Sequence, residues 1–103
     1  MIGVQTMITI TKKHNAISIT GHAGYAEHGQ DIVCAAVSTL LQVFVASVEE
    51  LTEDNIKTDI EAGNAFIEYK NLSANAQLLK DSFVLGLELI AQSYPHHVRI
   101  EKM

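Results

Sequence analysis

The sequence predicts an α+β fold: a mainly antiparallel sheet with two helices packed on it, in the order β-β-α-β-β-α-β. Three observations predict it. Short runs of alternating apolar and polar residues occur in adjacent pairs, as hairpins require. Each pair precedes a long segment whose apolar residues recur every three or four positions, the helical period. A last alternating run closes the chain. Hairpins that alternate with single helices favour an antiparallel sheet covered by those helices.

In residues 4–11, Ile8 and Ile10 fall on one side and Met7, Thr9 and Thr11 on the other, a half-buried strand pattern. Lys12, Lys13, His14 and Asn15 form a polar turn. Residues 16–22 alternate again, with Ile17 and Ile19 opposite Ser18, Thr20 and His22, which completes a hairpin. Strict parity sets His22 on the face away from the isoleucines. Gly21 permits a bend that re-aims it, and the sequence leaves both arrangements open. Residues 23–30 carry two glycines and no periodicity, so they read as a loop.

Asp31 is a good N-cap for a helix beginning Ile32-Val33-Cys34. Val33, Ala36, Val37, Leu40, Leu41, Phe44, Val45, Val48 and Leu51 share about half the circumference at roughly 100° per residue. Ala35, Thr39, Gln42, Glu49 and Glu50 lie opposite. So broad a face implies packing on a sheet and on another helix or a partner chain. Runs 56–61 and 65–70 flank Ala62-Gly63-Asn64, where Gly63 and Asn64 tolerate positive φ, a second hairpin. Ser73 caps a second helix running to about Ser93, with Leu78, Leu79, Phe83, Leu85, Leu89 and Ile90 as its inner face. Gly86 interrupts that face, where a glycine costs helix stability unless it admits another backbone closely. Pro95 ends the helix near Tyr94. Val98 and Ile100 alternate with Arg99 and Glu101 as a closing strand.

At 103 residues the chain reads as one domain, 1–103, long enough to bury a core without disulfides or metal. With 48% hydrophobic and 18% charged residues it reads as globular rather than disordered. One cysteine cannot close an internal disulfide, which fits a reducing compartment. No basic, apolar, small-residue leader is visible. The apolar stretch 32–48 includes Ser38, Thr39, Gln42 and Ser47 and reads as too short and too polar for a membrane span. The expected location is cytoplasmic, with no membrane association. A net charge of −5 argues against direct nucleic-acid binding, which needs lysine and arginine in quantity. It favours solubility and is compatible with a basic peptide or protein partner.

The chemistry concentrates in residues 21–38, GHAGYAEHGQDIVCAAVS. Cys34 falls in the first turn of the helix, where backbone N–H groups and the positive end of the dipole favour a thiolate. The same N–H groups are candidate donors to an oxyanion. The competing reading is a structural cysteine packed among apolar neighbours. His22 is the natural base for such a nucleophile; its plain alternative is a strand-end histidine facing water. His28 is a second candidate, whereas His14 lies in a turn and His96 and His97, after Pro95, are expected to be exposed. Asp31 either caps the helix or orients the histidine. Ser38 lies one turn beyond Cys34 on the same side, placed to bond in the site or to the helix carbonyl of Cys34. A zinc site of His22, His28 and Cys34 is the metal alternative. No CxxC or HExxH is present and the spacing matches no tight zinc motif, so no metal and no cofactor are expected.

Gly21-His22-Ala23, a glycine-bearing loop, then Asp31-Ile32-Val33-Cys34-Ala35-Ala36 with Ser38 following, resembles the ribosomal-processing cysteine protease family, Prp. The chain length and element order fit that domain throughout. The resemblance implies a cysteine endopeptidase that removes the N-terminal extension of large-subunit ribosomal protein twenty-seven, working as a homodimer. By motif match it places the nucleophile on Cys34 and the base on His22. Asp31 and Ser38 match further positions near the site, and Gly21 matches a glycine that lets the adjoining loop move and close over the peptide. The reading from another functional class is a non-catalytic, dimeric, ribosome-associated interaction module in which Cys34 is only core.

Overall fold

The computed structural model describes residues 7–22 and 31–103. Five strands and two helices follow in the predicted order: β1 Ile8–Lys12, β2 Ala16–Thr20, α1 Ile32–Leu51, β3 Lys57–Glu61, β4 Asn64–Glu68, α2 Ala74–Ser93 and β5 Val98–Lys102. The sheet order is β3-β4-β2-β1-β5. Three neighbouring pairs are antiparallel and one, β1 with β5, is parallel. The parallel pair arises because β4 runs in the same direction as β1, and α2 carries the chain back across the sheet so that β5 repeats that direction beside β1.

Alternation in β1, β2, β4 and β5 sorts the residues as expected, whereas the edge strand β3 is exposed along its whole length. Ile8, Ile10, Ile17, Ile19, Ala65, Ile67 and Val98 are buried on one face. They form a single cluster with Val33, Val37, Leu41, Phe44 and Val48 of α1 and with Phe83 and Leu87 of α2. Both helices therefore cover the same face. Phe44 and Phe83 stack between them at 4.8 Å with rings 3° from parallel. At Gly86 a Cβ would lie 2.8 Å from Cδ1 of Leu40. The glycine thus admits a leucine side chain from α1, where the sequence suggested a backbone.

Two expectations need correction. α1 spans 20 residues and is long and apolar enough to cross a membrane. Its serines and threonine are too small to offset the aliphatic residues, and the helix continues three residues beyond Val48. The core takes up its apolar stripe. On α2 the predicted inner face is partly out of phase. Phe83 is buried, but Leu78, Leu85 and Leu89 are 68%, 57% and 54% exposed, while Ala76 and Leu87 are fully buried. Residues 76, 83 and 87 and residues 78, 85 and 89 are two stripes with helical spacing. Periodicity alone cannot choose between them; the position of Leu40 against Gly86 does.

The end of α1 is wired to the start of α2. Thr52 donates its hydroxyl to the Val48 carbonyl at 2.7 Å and accepts from the Asp54 amide at 3.1 Å. The Asp54 carboxylate then accepts from the Ser73 amide at 2.7 Å and from its hydroxyl at 2.6 Å. Ser73 accepts in turn from the Ala76 amide at 3.1 Å, capping α2.

Candidate active site

The first turn of α1 is built by Asp31. Its backbone is extended, at φ −79° and ψ 101°, as an N-cap requires. One carboxylate oxygen, Oδ1, accepts from the amides of Val33 and Cys34, each at 2.9 Å. The Asp31 carbonyl accepts from the Ala35 amide at 3.0 Å. Cys34 is half-buried at this end of the helix, outside any disulfide, and packs on the edge of the core cluster. Half-burial is compatible with both sequence readings: the residue packs against the core without being enclosed by it. The expected oxyanion donors are a different matter. The amides of residues 33, 34 and 35 are already bonded to Asp31, so these N–H groups do not wait open for a substrate oxygen. Asp31 does the capping expected of it. Ser38 is exposed one turn beyond Cys34.

His22, the second candidate residue, lies immediately after β2. The β2–β4 ladder ends with Thr20 opposite Asn64. One further rung follows, the Gly21 amide donating to the Gly63 carbonyl at 2.9 Å. Gly21 then takes φ +97°, a conformation that glycine adopts without steric cost. This is the bend the sequence allowed at that position, and strand parity ends there. His22 is exposed, and its imidazole rests against the β3–β4 turn. A Cβ on Gly63 would lie 2.8 Å from Nε2 and 3.1 Å from Cε1. Gly63 itself has φ +74°. Of the two turn residues expected to tolerate positive φ, Gly63 adopts it and Asn64 begins β4.

Sequence reasoning read Gly63 as a turn residue and missed its contact with His22, because 41 positions separate them and only the β2–β4 pairing brings them together. The loop 23–30, with His28 in it, lies outside the described residues. Among the described residues no group of three or more His, Cys, Asp or Glu side chains is placed to hold a metal ion. His14 is exposed in its turn and His96 is exposed as expected, whereas His97 is half-buried and its carbonyl accepts from the Ile8 amide at 2.9 Å.

Comparison with known proteins bears on the same elements. The family model for cysteine protease Prp matches residues 1–99. The ribosomal processing cysteine protease Prp of Bacillus subtilis is 32% identical over 103 aligned positions, covering 89% of this chain and 92% of that protein. Its counterpart from Mycoplasma genitalium is 33% identical, covering 93% and 96%. Among solved structures, the ribosomal processing protease Prp of Staphylococcus aureus, in complex with a covalently linked product peptide, superposes with a TM-score of 0.90. It is 25% identical, with 94% of this chain and 100% of that one covered. A Streptococcus mutans protein is 33% identical, with a TM-score of 0.74 and 95% of both chains covered. Its residues, its mixed five-stranded sheet and its two helices together show that this chain belongs to the cysteine protease Prp family.

Proposed function

We propose that this chain is a cysteine endopeptidase that removes the N-terminal extension of large-subunit ribosomal protein twenty-seven, with Cys34 as nucleophile and His22 as its base. The observation that carries the reading is the half-buried Cys34 in the capped first turn of α1, in a chain whose relatives are ribosomal processing cysteine proteases. His22 takes the thiol proton or pairs with the thiolate. The sulfur attacks the scissile carbonyl and His22 protonates the departing amine. Water then releases the acyl-enzyme. The covalently linked product peptide in the S. aureus protein is the kind of species such a route leaves. Because Asp31 holds the amides of residues 33–35, oxyanion stabilisation requires either donors elsewhere or release of the cap when the peptide binds. Asp31 and Ser38 support the site, and Gly21 is the hinge of the adjoining loop. The reaction uses no cofactor.

The assembly proposed is a cytoplasmic homodimer. Its support is the exposed stripe Leu78, Leu85 and Leu89 on α2, apolar surface of the kind that soluble proteins usually cover. Closed two-fold dimers are the commonest solution. The test of function is incubation of the purified protein with the extended ribosomal protein, read by mass spectrometry. The expected result is a single N-terminal cut by wild type and none by Cys34→Ala. An intact substrate after incubation with wild type would overturn the reading and favour a non-catalytic interaction module, and equal cutting by Cys34→Ala would overturn Cys34 as the nucleophile.

A further inference from the structure

We infer that Gly63, in the β3–β4 turn, is a positioning residue for His22: its missing side chain is the niche that seats the imidazole. The inference rests on the reading of His22 as the catalytic base and adds a residue to it. His22 is exposed, and among the described residues none hydrogen-bonds to its imidazole. A solvent-facing histidine on a strand end would ordinarily sample several rotamers. Here two features of the same turn restrict it. The Gly63 carbonyl accepts from the Gly21 amide at 2.9 Å, fixing the backbone one residue before the histidine. The Nε2–Cε1 edge of the ring then occupies the space in which any other residue would carry a Cβ, at would-be distances of 2.8 and 3.1 Å. Rotating the ring by 180° exchanges those two atoms, so the niche holds the same edge in either setting. The turn also needs φ +74° at this position, so glycine meets two demands there, one of the hairpin and one of the histidine.

Those demands are separable by substitution. Asparagine tolerates positive φ but carries a Cβ; alanine fails on both counts. Gly63→Asn should therefore keep the hairpin and displace the imidazole. The experiment measures kcat and KM on a peptide spanning the cleavage junction, with melting curves, for wild type, Gly63→Asn, Gly63→Ala, His22→Ala and, as a turn control, Asn64→Ala. A nuclear Overhauser contact between the His22 Cε1 proton and the Gly63 α-protons is sought in wild type. The expected result is a kcat lower by about 100-fold in Gly63→Asn, the effect of a displacement near 1 Å, with KM and melting temperature close to wild type. Asn64→Ala should cleave normally, and the proton contact should be present. If Gly63→Ala fails to fold, Gly63→Asn carries the test. Normal cleavage by Gly63→Asn together with an inactive His22→Ala would overturn the positioning role and leave His22 as base. Normal cleavage by His22→Ala would overturn both. A missing proton contact, or a kcat that falls only with the folded fraction, would likewise overturn the positioning role.

Discussion

The two helices begin in the same way and to different ends. Each is 20 residues long, each is capped by a side-chain oxygen, and in each the third helical residue donates its amide to the cap. In α2 that third residue is Ala76, fully buried, and its cap Ser73 is gripped from behind by Asp54. The Ser73 amide and hydroxyl are spent on joining this helix to the end of the other. In α1 the third residue is Cys34, half-buried, and its cap is a carboxylate rather than a hydroxyl. The same local geometry that closes one helix end presents a thiol at the other. Both caps are extended, and the ends differ in burial and in the charge of the cap.

The sharpest way to break the comparison is to exchange the third residues. Cys34→Ala makes the start of α1 resemble that of α2. Cleavage should fall by on the order of 10³-fold or more, while stability changes by about 1 kcal/mol or less. The reverse change, Ala76→Cys, forces a sulfur into a filled site and should cost about 1–3 kcal/mol. Its thiol should alkylate far more slowly than Cys34, measured with iodoacetamide on the Cys34→Ala background. Comparable rates would mean that burial does not separate the two helix ends.

Replacing the caps is the next test. Ser73→Ala and Asp31→Ala should each cost about 1 kcal/mol, roughly 4–8 °C in melting temperature. Only Asp31→Ala should also lower kcat/KM, by about tenfold or more, because its cap holds the turn that carries Cys34. Equal kcat/KM losses in the two variants would erase the distinction. Asp31→Asn sharpens it further. Asparagine keeps an acceptor at the N-cap, so stability should barely move. Removing the negative charge from beside the cysteine favours the thiolate, so alkylation near pH 7 should speed up. An unchanged rate would show that the charge of the cap does not reach the sulfur.

The smallest effect is expected at the α2 end, with acid. The Ser73 hydroxyl and amide hold the Asp54 carboxyl below its ordinary value of 3.8. A carboxyl lowered on folding contributes stability that is fully present above the unfolded value and is lost as pH falls through the folded one. The melting-temperature gap between wild type and Asp54→Asn should therefore be constant above about pH 5 and shrink below 3.8. A gap independent of pH would remove the carboxylate from the account of this helix end.

Much of this molecule was legible one element at a time. The isoleucine alternation in β1 and β2, the caps Asp31 and Ser73, the stop at Pro95 and the glycine of the second turn are all local signals. Each depends on a residue and its near neighbours in the chain. The stretch 21–38 likewise carried the family likeness and the candidates His22, Asp31, Cys34 and Ser38. Tertiary structure decided the rest. It set β5 parallel to β1, chose the 76-83-87 stripe of α2 over 78-85-89, tied Asp54 to Ser73 and spent the first α1 amides on Asp31. It also laid the His22 ring on Gly63. The physical reason is that periodicity and capping act over three or four residues, whereas these contacts join segments whose meeting depends on sheet order and on how two helices share one face. The cap of α1 is the instructive exception: Asp31 was plain in the sequence, but which amides it would occupy was settled only by the folded turn.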